Sequence, residues 1–166
     1  MHVVYEPMRV PLLIRAGAVL AGVSLLPLAA CGSSSSACGV PVREELDPDH
    51  LLHVTDPNAV TFRTDTPSSG PHLSAGGPTG VVDEPLLPAV QVAILERGDV
   101  LVQYRDPADA EALRALAADR VVVAPRPTLD ERVVATAWTY RLGCTGLDTK
   151  AVERFMAAHA GKGQTH

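Results

Sequence analysis

The chain reads as an α+β protein: a small mixed sheet with two to three helices packed on it, preceded by a signal peptide and a flexible tether. Three observations predict this. Short β-rich runs alternate with stretches of helical spacing along the second half of the chain. With one Trp, two Phe and three Tyr, the core has to be built from Val, Leu, Ile and Ala. The first 37 residues follow the order of an export leader rather than a fold.

That leader has a weakly basic stretch ending at Arg15, an apolar run from Ala16 to Ala30, and then Cys31. About 20 apolar residues are needed to cross a bilayer, and this run is shorter and is broken by Pro27. The string Leu28-Ala29-Ala30-Cys31 resembles the bacterial lipobox, in which signal peptidase cuts before a cysteine whose thiol carries diacylglyceryl. The expectation is a signal peptide over 1–30, lipidation of Cys31 with palmitate-type acyl chains, and a Ser-rich tether over 31–37. A retained signal anchor and ordinary cleavage leaving Cys31 a plain thiol are the alternatives. Lipidation places the protein at the cell membrane, on its extracytoplasmic face.

With Cys31 lipidated, Cys38 and Cys144 are the remaining thiols, and a pair in an oxidising compartment reads as a disulfide. Closing a loop of roughly 100 residues removes about 4–5 kcal/mol of chain entropy from the unfolded state. The alternative is two unlinked thiols; the spacing makes a poor zinc site.

A single α+β domain is expected over 38–161, followed by a polar tail over 162–166. Short strands are placed near Leu51–Val54 and Ala59–Arg63. The stretch Thr66–Pro88 is too rich in Pro, Gly and Ser for regular structure, and a stretch that long is functional or mobile. Pro88–Arg97 reads as a short helix ended by Gly98, although Val92, Ile94 and Glu96 also alternate as in a strand. Asp99–Tyr104 is β-rich. Asp106 caps a helical Pro107–Ala118, Val121–Ala124 is a buried strand, and Arg132–Tyr140 is another with Trp138 in the core. Asp148 caps a last helix whose apolar face is Ala151, Val152, Phe155, Met156 and His159, with His159 on its rim.

Composition excludes several function classes. The formal charge is −5, and the leader's Arg9 and Arg15 against Glu6 make it +1, so cleavage leaves −6. An acidic chain with no basic cluster repels phosphate backbones, so no nucleic-acid partner is expected. Ser68 and Ser69 sit in a Gly/Pro loop without a G-x-S-x-G elbow and read as turn formers. Gly76-Gly77-Pro78-Thr79-Gly80 lacks the lysine and the strand context of a phosphate loop.

Four blocks in order carry a family resemblance: Thr66-Pro67-Ser68-Ser69-Gly70-Pro71-His72, Leu95-Glu96-x-Gly98, Val100 to Tyr104, and Ala135-Thr136-Ala137-Trp138. From about Cys38 to Gly161 the chain resembles the bacterial domain-of-unknown-function family 3105. Exported members often carry cysteines where Cys38 and Cys144 stand, and the family implies no established activity. Its distinctive His-x-Leu-Glu-His-Gly block has the spacing of a metal site, but here it reads Ala93-Ile94-Leu95-Glu96-Arg97-Gly98. One imidazole is replaced by a methyl group and the other by a guanidinium, which does not ligate and opposes a cation.

His53, His72 and Glu96 survive as a residual candidate metal set. Against it stand a His72 bonded to nearby backbone, a Glu96 exposed or paired with an arginine, and an Arg97 filling the former metal position beside Glu96 or another carboxylate. The leading expectation is a lipid-anchored, non-catalytic binding domain without a cofactor, whose partners are the membrane, through Cys31, and an envelope protein or component. The alternative is a protein that binds a divalent transition metal, or a metal-dependent hydrolase, with an altered ligand set.

Overall fold

The computed structural model describes residues 36–164, together with His2. Cys31, the tether residues before Ser36 and, His2 apart, the signal peptide lie outside the described residues, as do the last two positions of the tail. Among the described residues no helix is long and apolar enough to cross a membrane.

The chain forms β1 (Val42–Arg43), β2 (His53–Val54), β3 (His72–Leu73), α1 (Pro88–Glu96), β4 (Val100–Tyr104), α2 (Ala110–Arg114), β5 (Val121–Pro125), β6 (Val133–Ala137), β7 (Tyr140–Cys144) and α3 (Thr149–His159). Five strands make one mixed sheet in the order β1-β7-β6-β4-β5, in which only β4 and β5 are parallel. β2 and β3 form a separate two-stranded parallel ladder. The architecture is α+β, as the sequence predicts.

The strand pattern follows from burial on both faces. Val100, Val102 and Tyr104 of β4 join Val121 and Val123 of β5, Leu113 of α2 and Val152 and Phe155 of α3 in one apolar cluster. The alternate residues Leu101, Val122 and Ala124 pack with Ile94 and Leu95 of α1 in a second cluster. A strand covered on both sides has no polar face, which is why Val121-Val122-Val123-Ala124 is an unbroken apolar run. Each fully buried Val or Leu contributes about 1.5–3 kcal/mol. One consequence is that α1, wedged between the sheet and the β2–β3 ladder, is buried almost all round.

Helix ends obey local chemistry. α1 starts with Pro88 in its first turn and stops where Gly98 takes φ 90°, a conformation that costs a residue with a Cβ. The Asp106 carboxylate accepts from Ala108 N–H at 2.9 Å, and the Asp148 carboxylate accepts from Ala151 N–H at 2.9 Å, so both predicted caps are present. The helix expected over Pro107–Ala118 is shorter: a 3₁₀ turn over Pro107–Asp109 leads into α2.

Three expectations are corrected. Ala59–Arg63 is not a strand; the Asp56 carboxylate accepts from Asn58 N–H and turns the chain, and no neighbouring strand pairs with the segment. Arg132–Tyr140 is not one strand but a tight hairpin, β6 and β7, with Ala137 paired to Tyr140 and Thr139 at φ 60°. Trp138 therefore sits at the hairpin turn, half-buried against the α1-side cluster, rather than inside a strand. The stretch Thr66–Pro88 is irregular but packed: Thr66–Pro71 is buried, β3 follows, and Val81 bridges to Val123.

Cys38 and Cys144 are joined by a disulfide across 106 residues, with Cα atoms 3.9 Å apart. They also form a β-bridge, and Gly39 N–H donates to Gly143 O at 2.9 Å, so the bond holds the start of the fold against β7.

Candidate metal centre

Three elements distant in sequence meet at the end of α1. The parallel register of β2 and β3 sets His53 directly opposite His72, with His72 N–H donating to Leu52 O at 3.0 Å. The two imidazoles meet edge to face, ring centres 4.5 Å apart at 68°. Glu96 is the last residue of α1 and points at both: His72 Nε2 is 3.0 Å from one carboxylate oxygen and His53 Nε2 is 3.9 Å from the other. One donor atom from each residue lies within 4.8 Å of the others. Donors at 2.0–2.2 Å around a tetrahedral ion are about 3.3–3.6 Å apart, so small rotations of the side chains would bring these atoms to metal-ligand spacing.

The orientation of His72 decides the chemistry. Its Nδ1 is 3.0 Å from Gly70 O, and a carbonyl only accepts, so Nδ1 carries the proton. In the neutral ring Nε2 is then a lone pair. That atom is buried and makes no hydrogen bond; the Glu96 oxygen beside it is within ion-pair distance but outside hydrogen-bond geometry. A buried imidazole lone pair facing a carboxylate is a place for an electrophile, a proton or a metal ion. A backbone carbonyl on the far nitrogen is also how proteins aim an imidazole at a metal.

Exposure grades across the site. The His72 side chain is 0% exposed, Glu96 18% and His53 49%, so the cluster has a protein-filled flank and a water-facing flank.

Arg97 does not enter this cluster. Its guanidinium turns to Asp99, with Nε 2.9 Å and Nη2 2.6 Å from one carboxylate oxygen, and donates to the carbonyls of Gly76, Gly77 (3.2 Å) and Pro78 (2.9 Å). Of the two partners expected for Arg97, Glu96 or another carboxylate, the structure has the second, Asp99, while Glu96 faces histidines. Gly77 has to be glycine, since a Cβ there would meet Ile94 at 3.0 Å and Val90 O at 3.2 Å while φ is 69°. The glycine loop presents carbonyls to a cation, the opposite of a phosphate cradle.

Sequence reasoning singled out His53, His72 and Glu96, and the structure brings all three together. It missed the roles of Gly70 O and Asp99; the Arg97-x-Asp99 spacing was the available signal for the second. Ser68 Oγ donates to Glu44 at 2.5 Å and Ser69 Oγ accepts from Asp47 N–H at 3.0 Å, so both serines tie the buried loop to the segment before β2. His159 belongs elsewhere: it stacks on Tyr140 and Phe155, at 4.3 and 4.5 Å, and burial, with Lys162 nearby, holds its pKa below the usual imidazole value.

Fold and site together define a small α+β domain with a histidine–carboxylate cluster where a short parallel ladder meets a buried helix. The chain belongs to the family of proteins of unknown function DUF3105, which matches residues 53–166 and so includes all three donors. No curated protein and no solved structure matches it.

Proposed function

We propose that this protein is a lipid-anchored, extracytoplasmic domain that binds one divalent transition metal ion through His53, His72 and Glu96. Two imidazoles and a carboxylate are a donor set for zinc and its neighbours. The observation that carries the reading is the buried His72 Nε2 aimed at Glu96 while Nδ1 is committed to Gly70 O. The charge of Arg97, a reason to disfavour a cation, is taken up by Asp99. The partner-binding reading, an envelope protein or component, has no geometric support of this kind. The anchor rests on the lipobox-like string before Cys31, and the cross-fold disulfide fits an oxidising compartment.

The test is titration of metal-free protein with zinc against a chromophoric chelator. The expected result is one equivalent bound, with binding lost in a folded His72→Ala variant. Equal binding by wild type and variant would refute the assignment.

A further inference from the structure

We infer that the groove between the segment Cys38–Pro41 and α3 is the face by which the tethered domain rests on its membrane, and that it takes up an anionic phospholipid, hydrocarbon against its apolar walls and phosphate at Arg154. The inference rests on the lipid-anchor part of the proposed function and is independent of the metal.

The groove has a volume of about 410 Å³, within the range of small-molecule sites. α3 contributes Ala151, Arg154, Phe155 and Ala158, whose spacing puts them on one helix face. Gly39, Val40 and Pro41 and, from β7, Leu142 also line it. Arg154 apart, none of these residues has a polar side chain. Val40 is 83% exposed, the most exposed large apolar side chain among the described residues, and Val42 of the edge strand β1 is also in water.

The segment that forms the second wall is fixed in place. Ser36 Oγ donates to Asp148 at 2.7 Å, Cys38 is bonded to Cys144, and Gly39 N–H donates to Gly143 O at 2.9 Å. A preformed groove spares its ligand the cost of ordering the wall.

Reach and charge name the occupant. Five residues lead from Cys31 to Ser36, which itself lines the groove, and a chain of that length extends at most about 18 Å. A lipid on Cys31 therefore keeps this face close to a bilayer, and a short flexible link gives an effective concentration on the order of millimolar, so weak affinity is enough. The chain as a whole carries −5, yet α3 exposes Lys150 and Arg154 against Glu153, with Lys162 just beyond its end. The Asp148 carboxylate at its start is engaged by Ser36 and by Ala151 N–H. A basic helix beside an apolar groove matches an anionic lipid surface.

The experiment uses the full acylated protein purified from cells and reconstituted into vesicles of equal parts phosphatidylcholine and phosphatidylglycerol. The probe is a phosphatidylcholine with a photoactivatable diazirine on its acyl chain. Tryptic mapping is expected to find several-fold more adduct on the α3 peptide 155–162 than on the α2 peptide 106–114, which packs by β5 at the other edge of the sheet. Val40→Asp, at an exposed position, should bring the α3 peptide down to the α2 level with Cys31 still acylated. Vesicles of phosphatidylcholine alone should weaken the α3 signal several-fold. Equal labelling of the two peptides in acylated protein overturns the docking face while the anchor stands. Labelling of α3 that ignores phosphatidylglycerol overturns the anionic ligand. An unlabelled groove in protein that sediments as a dimer assigns this face to a second copy and overturns the lipid occupant. If Cys31 carries no acyl chain, the anchor and this inference fall together.

Discussion

His72 Nε2 stands 3.0 Å from a Glu96 carboxylate oxygen, while the other nitrogen of the same ring is held by Gly70 O. That arrangement fixes the ring while leaving Nε2 without a hydrogen bond, and it sets β3 against the end of α1.

On the proposed reading, an ion bound by the folded protein alone would tie β2, β3 and α1 together and stabilise the fold by mass action. At a free zinc concentration 100 times the dissociation constant the gain is about 2.7 kcal/mol, which for a domain of this size is a rise in Tm of roughly 10 °C. Chelator should reverse it. In Glu96→Gln the rise should vanish, and in His53→Ala, where the lost donor is the exposed one, part of it should remain. Differential scanning calorimetry with and without zinc checks both.

Arg97 serves the fold rather than the histidine–carboxylate cluster. Arg97→Ala removes a charge-assisted fork to Asp99 and the donors that hold the Gly76–Pro78 carbonyls, and should cost about 2–3 kcal/mol by urea denaturation. Arg97→Lys should recover little, since an ammonium does not span a carboxylate and three carbonyls at once. Zinc affinity of the folded variants should change less than tenfold.

Asp148 couples the start of the described chain to α3. Its carboxyl pKa is lowered first by the Ser36 hydroxyl, which donates at 2.7 Å, and then by Ala151 N–H. The folded value lies below the unfolded one, so the contribution is fully present above about pH 4 and is lost as pH falls through the folded value. Asp148→Ala should lower Tm at pH 7 and flatten the acid limb of the stability curve. Asp148→Asn should keep the cap and lose the acid dependence.

For the anchor, Cys31→Ala should abolish incorporation of labelled fatty acid in cells and release the protein from the membrane fraction. Continued labelling would overturn lipidation at that residue.

The sheet and the helices were readable where one physical signal dominated. Val121–Ala124 is apolar because both its faces are covered, and Asp106 and Asp148 stand where orphan N–H groups need acceptors. The β6–β7 hairpin was hidden because Trp138-Thr139 carries no Asn-Gly or Asp-Gly signature, and Thr139 adopts φ 60° under the tertiary structure alone. The donor residues were visible through the family pattern, but their meeting was not. It depends on a two-residue parallel ladder between β2 and β3, too short to leave a periodicity, and on a carbonyl, Gly70 O, that no side-chain pattern encodes. The partner of Arg97 was not legible either: its charge is met by Asp99, two residues on.

The most direct measurement is the metal content of the full-length protein purified from cells without chelator, by elemental mass spectrometry, beside folded His72→Ala prepared in parallel. About one equivalent of a transition metal in the first and almost none in the second is the predicted result. Wild-type protein that holds no metal, and takes none up from micromolar zinc at neutral pH, would contradict the assignment of His53, His72 and Glu96.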